Sequence, residues 1–120
     1  MQKLIKAYSL FINEAKTQDL TFEEFAKARL EGATKISDAA KEKGGAALLT
    51  YQHFVVKLPY YKKASSGKFD TGEMQSELSR LVKELARGTS GKIKLEQTEF
   101  QRLVGKIEVI GELLIRAANK

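Results

Sequence analysis

Ala46-Ala47-Leu48-Leu49-Thr50-Tyr51-Gln52-His53-Phe54-Val55-Val56-Lys57-Leu58 is the stretch on which the fold class turns. Its aromatic and β-branched residues (Thr50, Tyr51, Phe54, Val55, Val56) suit a strand, and periodicity alone does not separate strand from helix in so short a run. Two observations favour helix. Leu48, Tyr51 or Gln52, Val55 and Leu58 recur at helical intervals and form one face. No other segment offers a partner strand, and a lone strand leaves its backbone N–H and C=O groups unpaired. Pro59 disfavours helical geometry at Leu58 and is expected to end the segment there.

Toward the N-terminus, Thr21 followed by Glu24 is a capping box, with Leu20 placed for a hydrophobic staple. Phe22, Phe25, Ala26, Leu30, Ala33, Ile36 and Ala40 then repeat at helical spacing up to about Lys43, where Gly44 suits a left-handed stop. Gly32 weakens the middle and marks either a close crossing or a break. Leu4, Tyr8, Phe11, Ile12 and Ala15 predict an earlier amphipathic helix over about Gln2 to Thr17.

Toward the C-terminus, Tyr60 to Asp70 reads as a turn of helix passing into an exposed loop. Met74, Leu78, Leu81, Val82 and Leu85 predict a helix over about Gly72 to Ala86, with Gly88 at the stop position. After a polar loop, Leu95 to Ala118 is the longest and most apolar segment. Phe100, Leu103, Val104, Ile107, Ile110, Leu114 and Ala118 form its main stripe, and Val109, Leu113 and Ile115 widen it. A helix apolar on so many sides is central to a bundle or shared with another subunit. Val109, Ile110, Leu113 and Ile115 are accordingly the candidate surface for a homo-oligomer, and Gly105 and Gly111 would permit close helix approach. The architecture predicted is an all-α bundle of four to five helices in a single domain.

Composition agrees with a folded domain. A chain of 120 residues with 42% hydrophobic and 30% charged residues has enough apolar content for a core without metal or disulfide support. There is no Cys, so disulfides and thiolate metal sites are excluded. No apolar run approaches the roughly 20 residues that span a bilayer. Glu14 stands where a secretory signal would need small neutral residues, so the expected compartment is the cytoplasm, without membrane association.

The residues that carry most enzyme chemistry are sparse. His53 is the only imidazole, and one His makes no His-Glu-x-x-His or Glu-x-x-His metal site. Glu23-Glu24, Glu73–Glu77 and Glu96–Glu99 fit the acidic preference of helix starts and a solvated surface. Gly88-Thr89-Ser90-Gly91-Lys92 resembles the end of a phosphate-binding loop, but Ile93 stands where Ser or Thr is required. Neither enzyme activity, nor a cofactor, nor a metal is expected.

One cluster has a positive implication. Lys57, Tyr60, Tyr61, Lys62, Lys63 and Lys68 group four cations with two tyrosines and no carboxylate between them. Lysines neutralise phosphates and tyrosines stack on bases, which points to non-specific, salt-sensitive contact with DNA. With no arginine in the run, bidentate base readout is not implied. The alternative is a turn whose tyrosines anchor it to the core and whose lysines are solvated. The formal net charge of +6 favours encounter with polyanions.

Tyr8-Ser9-Leu10-Phe11-Ile12-Asn13-Glu14-Ala15 resembles the capsid-targeting tag of internal head proteins of T-even-like tailed phages. In that family a Tyr-x-x-Phe-Ile-x-Glu-Ala run directs the protein into the prohead core, and the prohead protease cuts after the glutamate. Tyr8, Phe11, Ile12, Glu14 and Ala15 match position by position, although Met1 to Ala7 is longer than the usual leading segment. The resemblance implies cleavage of Glu14–Ala15, with Ile12 part of the recognised sequence. Residues 1–14 would then be a cleavable targeting helix and 15–120 the helical domain, with the prohead core and its protease as partners and the virion interior as destination. Loss of Lys3, Lys6 and Glu14 would leave the body basic. The same residues also read as the apolar stripe of an ordinary packed helix.

Overall fold

Thr21 opens the first helix by the reciprocal bonding its sequence predicts. Its Oγ1 accepts from the Glu24 N–H at 3.1 Å, and its own N–H donates to Glu24 Oε1 at 2.9 Å. The computed structural model describes residues 20–119, and the predicted helix over Gln2 to Thr17 lies outside them. Five helices follow in chain order: α1 (Phe22–Lys43), α2 (Ala47–Val55), α3 (Leu58–Ser65), α4 (Thr71–Thr89) and α5 (Gln97–Ala118). Among the described residues all regular structure is helical, so the expected all-α bundle is the observed one.

α1 runs unbroken through Gly32, which is buried, and stops at Gly44 with φ 68°. It buries Phe22, Phe25, Ala26, Ala33, Ile36 and Ala40 on one face, the stripe its sequence draws. That face packs against α2 and α3. The deciding stretch is helical, as α2, but it ends at Val55 and not at Leu58. Pro59 does not stop a helix here: it sits in the first turn of α3, where its missing N–H would have had no intrahelical partner. Val56 and Lys57 form the elbow between them, and the Lys57 carbonyl accepts from the Tyr60 and Tyr61 N–H groups at 3.2 and 3.1 Å.

α4 starts at Asp70, whose carboxylate accepts from the Glu73 N–H at 3.0 Å. It continues past the predicted stop, because Gly88 is helical and Gly91, with φ 81°, makes the turn instead. Only Met74 and Leu81 of α4 are buried, and the helix packs chiefly on α5. α5 is the spine: it packs against both α2 and α4 and touches α1 and α3 more lightly. Arg116 ties its end back to the start of the fold, with Nη2 donating to the Leu20 carbonyl at 2.7 Å and the guanidinium 4.6 Å from the Phe25 ring centroid.

The two glycines of α5 differ. A Cβ on Gly105 would lie 2.2 Å from the His53 carbonyl oxygen and 2.8 Å from Val56 Cγ2, so α2 and α5 touch backbone to backbone at this point. Among the described residues nothing lies within 4 Å of that position at Gly111, and none makes a close approach there.

Candidate functional site

The helical twist of α3 divides the basic cluster. Tyr61 and Ala64 face inward, while Lys62, Lys63 and Lys68 are exposed. Tyr61 is wholly buried and donates its hydroxyl to Glu112 Oε1 at 2.6 Å. Burial first, and the Glu112 charge second, push its hydroxyl far above the ordinary phenol range. Tyr61 is therefore withdrawn from any surface contact with nucleic acid.

Lys57 is withdrawn as well. Its side chain is 5% exposed, and Nζ donates to Glu108 Oε1 at 3.0 Å while lying 4.6 Å from the Phe54 ring centroid. His53 Nε2 meets the same oxygen at 3.1 Å. Burial pushes the Glu108 carboxyl upward, but the Lys57 hydrogen bond and the charges of Lys57 and His53 outweigh it and hold the group below its ordinary value. A buried ammonium is tolerated only with such a partner.

Glu112, one turn along α5, serves as a second hub. Arg29 of α1, 6% exposed, donates Nε to Glu112 Oε1 at 3.3 Å and Nη2 to Oε2. The arginine also lies about 6 Å from the Phe25 and Tyr61 rings, at 5.9 and 6.0 Å. Glu108 and Glu112 thus pin α5 to the elbow, α1 and α3. The chemistry of both hubs is structural: each carboxylate neutralises a buried cation between helices. Neither hub was legible beforehand, since the paired residues stand 51 to 83 positions apart in sequence.

The described surface also carries an open groove of about 680 Å³ between the α2–α3 elbow and the α4–α5 pair. Val55, Val56 and Pro59 supply apolar lining, and Tyr51 and Tyr60 the aromatic lining. Lys63, Arg102 and Lys106 contribute three cations. Tyr60 donates to Glu77 Oε1 of α4 at 2.9 Å, bridging the two sides. Burial, with the Glu77 bond and charge added, raises its hydroxyl to about 12. Glu77 also pairs with Arg80 at 3.6 Å, and Arg102 donates to Gln52 Oε1 at 2.9 Å. Of the sequence-predicted cluster, only Tyr60 and Lys63 line this groove; Lys62 and Lys68 stay on the outer surface of the α3 end. Arg102 and Lys106 were missed because they sit on α5, and only its packing against α2 brings them to the elbow.

The proposed oligomer surface largely disappears. Val109, Ile110 and Leu113 are fully buried within the chain's own core, and only Ile115, 66% exposed, remains outside. The width of the α5 stripe is taken up by packing against helices of the same chain. Ile12, Glu14 and Ala15 of the expected processing site lie outside the described residues. No helix of the described residues is long and apolar enough to cross a membrane. Comparison with protein-family models, curated proteins and solved structures finds no match.

Proposed function

We propose that this chain is a non-enzymatic head-internal protein of the tailed-phage type, addressed to the prohead by its N-terminal segment and trimmed between Glu14 and Ala15. The basic helical body, residues 15–120, is then enclosed with the packaged DNA and contacts it without sequence preference. The reading rests on the match at Tyr8, Phe11, Ile12, Glu14 and Ala15. Exposed Lys62, Lys63 and Lys68 support the DNA contact, each as a point charge for phosphate.

The test is transplantation. Residues 1–15 placed ahead of a fluorescent protein and expressed during infection by a phage of this type should bring fluorescence into purified, nuclease-treated heads. A fusion lacking the segment should remain outside. Equal exclusion of both fusions would sink the proposal.

A further inference from the structure

We propose that the groove between the α2–α3 elbow and the α4–α5 pair binds single-stranded nucleic acid in preference to duplex. This goes beyond the function proposed above, whose packaged DNA is duplex, and stands on the lining of the groove alone. The two requirements of a sequence-tolerant single-strand site are aromatic faces for bases and a row of cations for the backbone. Tyr51 and Tyr60 supply the first and Lys63, Arg102 and Lys106 the second, all lining one groove. Its volume of about 680 Å³ falls in the range of roughly 300–1,000 Å³ that encloses small ligands, enough for about one or two nucleotides.

Charge complementarity favours an anion. Glu77 is the one carboxylate among the described lining residues, and it is already engaged by the Tyr60 hydroxyl and Arg80. Lys106 has no hydrogen-bond or ion-pair partner among the described residues, and Arg102 is held only by the neutral Gln52 amide. Both remain available to phosphate. The apolar lining from Val55, Val56 and Pro59 favours unstacked base faces, which a duplex does not present. A concave groove bridged by Tyr60 and Glu77 also admits a flexible strand more readily than a rigid double helix.

The experiment is fluorescence anisotropy of the full chain with a short labelled oligothymidylate and with a labelled duplex. Three released counterions give a slope of log affinity against log salt of about −2, so raising salt from about 50 to about 200 mM should weaken strand binding by about 20-fold. Arg102→Gln with Lys106→Gln should reduce that loss to about threefold. Tyr51→Leu keeps apolar bulk but removes the stacking surface, and should weaken strand binding by about tenfold while leaving the salt slope unchanged. Helical circular dichroism of each variant confirms folding.

Duplex bound as tightly as the single strand would overturn the inference. So would affinity lost on Lys62→Gln with Lys68→Gln but kept on Arg102→Gln with Lys106→Gln, an outcome that leaves the exposed-lysine contact standing. A labelled Glu- and Leu-rich peptide that outcompetes the oligothymidylate would also refute it, assigning the groove to an acidic protein segment.

Discussion

Alanine at Gly105 should destabilise the protein although alanine at Gly111, about one and two-thirds turns further along the same helix, should stabilise it. Both positions are helical, and in a helix interior alanine is better than glycine by about 1 kcal/mol. At Gly111 that gain stands alone, because an added Cβ meets none of the described residues within 4 Å. At Gly105 the methyl group would fall 2.2 Å from the His53 carbonyl oxygen and 2.8 Å from Val56 Cγ2. The first obstacle is backbone, which cannot rotate aside, so α2 and α5 must separate. Separation loosens the Lys57–Glu108 pair that lies between them. Overpacking of this kind costs about 1–3 kcal/mol, and the breach of the interface places Gly105→Ala at or beyond the upper end, leaving a net loss of about 2 kcal/mol after the propensity gain. Urea titration followed by circular dichroism reads the difference. With a slope of about 1–3 kcal/mol/M, the Gly105→Ala midpoint should fall by about 1 M and the Gly111→Ala midpoint should rise by a few tenths. A Gly105→Ala protein as stable as the parent would refute the backbone contact between α2 and α5.

Other consequences follow from the two carboxylate hubs and the groove. Arg29→Met leaves the partly buried Glu112 without its cation and should cost about 1–3 kcal/mol, whereas Arg29→Met with Glu112→Leu should recover most of that loss in the same urea assay. Glu108 has its pKa lowered in the folded state, so its contribution is complete above the unfolded carboxylate value and is lost as pH falls through the folded one. Glu108→Gln should accordingly flatten the acid limb of the stability profile, and an unchanged limb would contradict the hub. Tyr60 has its pKa raised to about 12, so the stability it contributes is present below the ordinary phenol value near 10 and is lost as pH climbs toward 12. Ultraviolet titration should show its midpoint move down in Glu77→Gln, since part of the shift comes from that carboxylate.

The elements legible in the sequence were those whose cause is local. The Thr21–Glu24 box, the Gly44 stop, the α1 stripe and the reach of α5 follow from capping, conformational freedom and periodicity. Pro59 was misread because proline is equally compatible with the end of one helix and the first turn of the next; the elbow at Val56 and Lys57 decides between them. Lys57 and Tyr61 looked like surface residues because sequence spacing does not show which face of a short helix meets the core. Their partners, Glu108 and Glu112, come from the far end of the chain. The breadth of the α5 stripe was visible, but its explanation required knowing that both α2 and α4 pack against the helix. For the same reason the groove was invisible: Arg102 and Lys106 meet Tyr51 and Tyr60 only through tertiary packing.

Whether the leading residues are a removable address is settled most directly by intact mass after coexpression with a cognate prohead protease. The account predicts one new species starting at Ala15, and none when Glu14 is replaced by Gln. A chain that keeps Met1 to Lys120 intact beside an active protease, or that is cut elsewhere, would contradict it.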